Sequence, residues 1–351
     1  MIGAHDAEFH PREPSNWRWT ETTPLIFSVP EAGILGNVYV AARPGLGVAL
    51  SSVAVAQGFC PQPYDIDFTD SQMHLPCPES FLRYTLPNGL SVEVTKPPTE
   101  YRISYEYTLG DSCGFDLCFR ALHEPFDATD PAHNPLAEAA PDERLGDEWG
   151  NQSSHAGHYE MMGHVTGELR LRGRTYEVDC YDVMDHSFGT RTETSRRAVS
   201  FISAVFGPDY GLHLAVPLDV IAGETVYDGV RLGYVMEDGA LFGIVDADVV
   251  SSSGTDMLPM NAHIRATDVR GRRHELYGAA IAGHPWYSFN PSHVCFQSLM
   301  RWHRGDRVGH GEMGDIFGLE FLAERRSRSG RALEFPPTRG ARKEVAAGQA
   351  T

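Results

Sequence analysis

Residues 163–184 read GHVTGELRLRGRTYEVDCYDVM, and their patterning decides the fold class. Side chains alternate between apolar and polar on both sides of Arg172-Gly173-Arg174, the period of an extended strand and not of a helix. Two such runs around a glycine predict a β-hairpin. The same grammar repeats outward. Upstream, PLIFSV (24–29), NVYVAAR (37–43), GVALSSVAVA (47–56), SVEVTK (91–96), YRISYEY (101–107) and FDLCFRAL (115–122) read as consecutive strands, with Asn88-Gly89 as a hairpin turn that tolerates positive φ. Downstream follow SFISAVFG (200–207), GLHLAVPLDV (211–220), and three longer stretches at 230–250, 260–283 and 293–317, each folding back at a turn, then GLEFLAE (318–324) as a last strand. Crossover helices are missing from the pattern, which argues against doubly wound and TIM-type folds. The expectation is an all-β chain with two antiparallel β-barrel or sandwich domains packed together.

Between these halves the pattern breaks into an acidic, proline-containing stretch at 124–157, which reads as a linker or lid. The expected organisation is therefore a first β domain at 1–123, the linker, a second β domain at 158–324, and a tail at 325–351. That tail holds seven Lys or Arg against two Glu and is expected to be disordered. The whole chain carries a formal charge of −18, and the body is more acidic still, so nucleic acid is an unsuitable partner. No run approaches a membrane-spanning length, and the N-terminus lacks the basic start and apolar stretch of a signal peptide, which places the protein in the cytoplasm. Six cysteines without a CxxC pair are expected to be reduced thiols, and homo-oligomerisation stays open.

The chemistry concentrates in TYEVDCYDVMDHSFGTR (175–191). Alternation puts Tyr176, Val178, Cys180, Asp182 and Met184 on one face, where Asp182 is the polar exception. A carboxyl among apolar neighbours resists ionisation, giving an acid able to donate a proton near neutral pH. Asp185, His186, Ser187 and Arg191 follow at the strand's end, where a sharp turn at Gly189 would let them converge. A hydrogen-bonded corner is the competing structural reading. A serine-hydrolase triad is discounted, because neighbouring residues point apart and no GxSxG elbow occurs. His155, His158, His164, His303 and His310 match no zinc spacing, and no metal or other cofactor is expected. The aromatic segment 284–303 supplies Trp286, Tyr287 and Trp302, which read either as core or, with Tyr181 and Phe188, as the walls of an apolar binding site.

The stretches GHVTGELRLRG and DCYDVMDHSFGTR, followed by VGHGEMGDIFGLEF, resemble the lipocalin-like superfamily of acyclic carotenoid 1,2-hydratases and AttH-type proteins. The likeness is firmest over residues 156–324, and Phe188 stands where tryptophan is more usual. It implies two lipocalin-like domains and a hydrophobic substrate handled without redox cofactors. Asp185, His186 and Arg191 are the residues it brings forward, beside Asp182 from the pattern. The expected activity is a hydratase or dehydratase acting on an isoprenoid, steroid or similar apolar molecule: Asp182 or Asp185 as acid, His186 handling water or the counter-proton, Arg191 orienting the acid. The alternatives are a cyclase or isomerase that works by holding its substrate folded, and a non-catalytic carrier of a hydrophobic ligand.

Overall fold

Pro24, a residue without an N–H, lies inside a strand that is hydrogen-bonded on both sides, and the two sheets of the protein meet beside it. The computed structural model describes residues 2–110, 112–138, 156–191, 198–254, 256–287 and 290–328. Its first sheet contains β1 (Trp19–Val29), β2 (Ile34–Arg43), β3 (Val48–Gln57), β4 (Phe68–Pro76), β5 (Arg83–Thr85), β6 (Leu90–Lys96), β7 (Glu100–Glu106), β8 (Cys113–Ala121), β9 (Phe126–Asp127), β10 (Gly157–Leu171) and β11 (Arg174–Thr190). The strand order is β4-β3-β2-β1-β11-β10-β8-β7-β6-β5, with β9 also on β10. This sheet stays open and curls around its own core, in which Phe27, Ile34, Phe115, Phe119, Val165, Leu169, Val178 and Met184 pack.

The second sheet contains β12 (Ala198–Val205), β13 (Tyr210–Ile221), β14 (Glu224–Tyr227), β15 (Leu232–Glu237), β16 (Ala240–Ser253), β17 (Pro259–Asp268), β18 (Arg273–Trp286), β19 (His293–Arg304) and β20 (Arg307–Gly318). Pairing of β12 with both β20 and β13 closes eight of these strands into a barrel, and β14 hangs on β13. Asp238 and Gly239, with φ of 49° and 81°, form the tight turn from β15 to β16. Ile202, Leu212, Val235, Ile264, Met300, Trp302 and Met313 fill the interior. The all-β, two-domain expectation holds.

The predicted hairpin at 163–184 exists as β10 and β11, but it pairs with β8 and β1 of the first sheet and does not open the second. The change of sheet comes after Thr190, not within 124–157. Both faces of the hairpin are covered: Met161 and Met184 enter the first core, while Met162, Tyr181 and Val183 meet Val199, Val205 and Tyr234 of the barrel. A strand pair buried on both sides belongs as readily to either neighbour by pattern alone.

Residues 124–138 are packed as well. Phe126 and Ala128 join the layer between the sheets, and Phe126 stacks on Tyr234. Residues 139–155 of the expected lid lie outside the described residues, as do 329–351 of the expected tail. GLEFLAE is not a strand. The ladder of β20 ends at Gly318, and α1 (Leu319–Arg328) follows, seating Phe321 against Phe296 and Phe317 and pairing Arg325 with Asp219. The tail therefore begins in a helix and not in disorder. Among the described residues no helix is long and apolar enough to cross a membrane.

Candidate active site

A cavity of about 110 Å³ lies where the outer face of the first sheet meets the barrel wall. That is several times the space one water needs. β1 and β2 contribute Thr22, Pro24, Ile26 and Tyr39; β10 and β11 contribute His158, Asp182, Val183, Asp185 and Ser187, with Arg191 just beyond. The barrel supplies Phe201, Ser203, His213, Trp286, Cys295, Glu312 and Ile316. Paired residues between β1 and β11 run to Thr22–Ser187 and resume at Leu25–Met184. The pairing lapses at Thr23 and Pro24, opposite His186 and Asp185, because proline cannot donate to the ladder. The sequence reading began this strand at Pro24; in the structure it begins at Trp19 and runs through it.

Three carboxyl groups share the cavity. Asp182 is 1% exposed, and Ser203 Oγ donates to its Oδ1 at 2.7 Å, as does the Val183 amide at 2.9 Å. Its Oδ2 has no hydrogen-bond partner among the described residues. Burial raises the Asp182 carboxyl to about 6 against these two donors. Burial likewise raises Asp185 to about 6, opposed chiefly by the neighbouring His158. Glu312 arrives from β20 and is pushed up to about 8, by burial first and then by the negative charge of Asp182. Near neutral pH Glu312 holds its proton while Asp185 and Asp182 are largely ionised.

Beside the carboxyls lies a buried cluster of His158, Glu160 and His213. His158 Nδ1 lies 2.5 Å from Ser187 Oγ, its Nε2 lies 2.7 Å from Glu160 Oε1, and Glu160 Oε2 lies 3.1 Å from His213 Nε2 on the barrel. Burial opposes ionisation of Glu160, but the His213 and His158 imidazoles hold it down at about 2. His158 in turn rises, because Glu160 outweighs the effect of its own burial. Arg191, 9% exposed, donates to Thr22 Oγ1 at 3.0 Å.

Of the residues singled out from sequence, Asp182, Asp185 and Arg191 come together here, with Trp286, whose Nε1 donates to Ser52 Oγ at 3.0 Å. His186 does not. β11 runs straight through Gly189 without a turn, so alternation sends His186 to the opposite face from Asp185 and Ser187. There it lies 3.1 Å from Glu21, near Phe188, which stacks on His10 at 3.3 Å. Gly189 serves another need: at φ +152°, a Cβ would stand 2.9 Å from that of Ala156. Tyr181 stacks on His164, Tyr287 is 47% exposed against Phe296, and Trp302 is sealed in the barrel core, so none of the three lines the cavity.

Glu312, Glu160, Ser203 and His213 were missed. Glu312 sits within VGHGEMGDIF, where glycines on both sides blur the alternation, and its role depends on contact with the other sheet. His158, one of five histidines that match no zinc spacing, carries no mark in the sequence of its place in the cavity.

The fold has solved counterparts at low sequence identity. A kievitone hydratase from Nectria haematococca aligns over 86% of this chain and 89% of its own, with a TM-score of 0.50 at 9% identity. An AttH-type protein from Nitrosomonas europaea aligns over 86% and 92%, with a TM-score of 0.52 at 10% identity. These likenesses establish the shared two-domain lipocalin-like fold. No curated protein matches the sequence. A family model does, spanning residues 3–317, and the chain belongs to that family, DUF7064, a domain of unknown function.

Proposed function

We propose that the protein is a cofactor-independent hydratase or dehydratase of an apolar, isoprenoid- or steroid-like small molecule. One observation carries this reading: carboxyl groups from both sheets line one cavity with their proton affinities set apart, Glu312 at about 8 and Asp185 at about 6. Titratable groups pushed apart in this way divide into acid and base at one pH. Glu312 delivers its proton to one alkene carbon. Asp185 takes a proton from the water that bonds to the other carbon, and dehydration reverses both transfers. The negative charge of Asp182 sustains the high proton affinity of Glu312. Arg191 orients Asp185, while Ile26, Tyr39, Val183, Phe201, Trp286 and Ile316 form the apolar wall against which the hydrocarbon rests. His186, on the other face, has no part in these steps. That a structural counterpart is a hydratase supports the reaction class.

Denaturing the purified protein and identifying co-purified small molecules by mass spectrometry supplies the substrate class. Turnover in ¹⁸O-labelled water then tests the reaction. Label gained or exchanged at the product hydroxyl, and lost in Glu312→Gln and Asp185→Asn with folding intact, is the expected result. Conversion without label identifies an isomerase or cyclase, and stoichiometric binding without conversion identifies a carrier; either outcome removes the hydratase reading.

A further inference from the structure

On the inner side of the first sheet, away from the cavity, three residues from distant points of the chain converge. Glu21 Oε2 on β1 lies 3.1 Å from His10 Nδ1, in the segment before β1, and 3.1 Å from His186 Nε2 on β11. The three donor atoms all fall within 4.8 Å of one another. Ligand atoms about 2.1 Å from a tetrahedral zinc ion stand about 3.4 Å apart, close to the 3.1 Å that separates Glu21 Oε2 from each imidazole nitrogen.

Each inward-facing atom is backed by an outer partner. His10 Nε2 lies 3.3 Å from Asp6 Oδ1, so a carboxylate backs this imidazole on the side away from Glu21. The Tyr159 hydroxyl donates to the Asp6 carbonyl at 3.3 Å. The same hydroxyl lies 3.2 Å from His186 Nδ1 and backs that ring, while His186 Nε2 faces the Glu21 oxygen. Glu21 is fixed from behind, its Oε1 accepting the His10 amide and Trp19 Nε1, each at 2.8 Å. The pattern, in which each inward donor is oriented by an outward hydrogen bond, is that of metal ligands and their supports.

We propose that His10, Glu21 and His186 bind a divalent transition-metal ion, zinc by the mixed imidazole and carboxylate donor set. The ion ties the N-terminal segment to β1 and β11 and closes that end of the first core. The expected absence of a metal rested on short-range spacing motifs, which a trio drawn from positions 10, 21 and 186 does not form. The proposal is independent of the carboxyl cavity, and its test is not turnover.

The full chain, freed of any affinity tag, is stripped with a chelator and titrated with ZnCl2 by calorimetry and with CoCl2 by visible absorption. One zinc per chain, cobalt d–d bands, and X-ray absorption showing two imidazoles on the bound zinc are the expected results. Glu21→Gln and His10→Ala should each weaken zinc binding at least tenfold. His10 lies outside the strands, so His10→Ala stays informative where Glu21→Gln fails to fold. No stoichiometric uptake by the parent, no imidazole around the zinc, or undiminished binding in a folded variant overturns the proposal. Each of these results instead fits histidines that simply donate hydrogen bonds to Glu21.

Discussion

Asp182 of the first sheet and Glu312 of the barrel are joined through one hydroxyl: Ser203 Oγ donates to Asp182 Oδ1 at 2.7 Å and accepts the Glu312 amide at 2.8 Å. The Asp182 carboxylate and the Glu312 backbone, on sheets that share no ladder, are thereby tied to one side chain. Ser203→Ala removes the donor and leaves Asp182 with the Val183 amide alone. Loss of a buried hydrogen bond to a charged group costs about 1–3 kcal/mol. Urea unfolding should show that loss. An infrared titration of the Asp182 carboxyl should also show it protonating at higher pH than in the parent, because the lost bond favoured the ionised form. An unchanged titration counts against the bridge.

The raised carboxyls fix the sign of a pH dependence. Asp and Glu titrate near 4 in an unfolded chain, whereas here Asp182 and Asp185 stand at about 6 and Glu312 at about 8. Over the interval between, the native state holds protons that the unfolded chain has released, so stability falls as pH rises. The contribution of these groups is complete below about pH 4 and lost as pH passes each native value. Glu160, held at about 2, has the opposite sign and weakens the fold as pH drops below about 4. Glu312→Gln removes the largest member of the first group. Its melting temperature relative to the parent should climb from pH 5 to pH 9, reaching a gain of roughly 3–6 °C. A difference independent of pH would show that Glu312 ionises normally.

Alternation separates Asp185 from His186, and a paired comparison tests that separation. Asp185→Asn should abolish turnover, or reshape ligand binding, with little change in unfolding. His186→Ala empties a site packed against Phe81, Phe188, His10 and Tyr159, and should cost about 2–4 kcal/mol in denaturant. Residual turnover per folded molecule should survive it. The reverse outcome, a stable His186→Ala that turns nothing over, would place His186 in the chemistry.

Period-two alternation and turn residues made most strands legible, including the hairpin that holds Asp182, because burial on one face leaves a pattern in the chain. Asp182 was legible for the same reason: a charge among Val178, Cys180 and Met184 is visible without coordinates. The sheet to which β10 and β11 belong was not, since both faces of that hairpin are covered and pattern cannot name the neighbour. The helix over Leu319–Arg328 was hidden by its brevity, and its apolar contacts form only against β19 and β20. Convergence at Gly189 was inferred from composition, and composition does not distinguish a bend from a glycine required by the close approach of Ala156. Glu312 and His213 acquire their character from the other sheet, and Glu160 from His213 there together with its near neighbour His158, so alternation alone did not mark them.

Trp302 shows how an aromatic that looks like a binding wall behaves as core. Its ring lies over Gly278 on the neighbouring strand, where a Cβ would come within 2.5 Å of it, and it is fully buried among the barrel's interior side chains. Gly278→Ala should therefore destabilise the protein by about 1–3 kcal/mol through overpacking. Trp302→Phe should cost about 1–3 kcal/mol through lost packing volume. Neither should change the affinity for a ligand in the cavity between the sheets. Trp286→Phe gives the contrast, since Trp286 lines that cavity and reaches Ser52 on the facing sheet. It should weaken ligand binding severalfold by calorimetry with a smaller effect on unfolding. Equal losses of affinity in the Trp286 and Trp302 variants would move the ligand into the barrel, where the protonation chemistry of Glu312 and Asp185 cannot reach it.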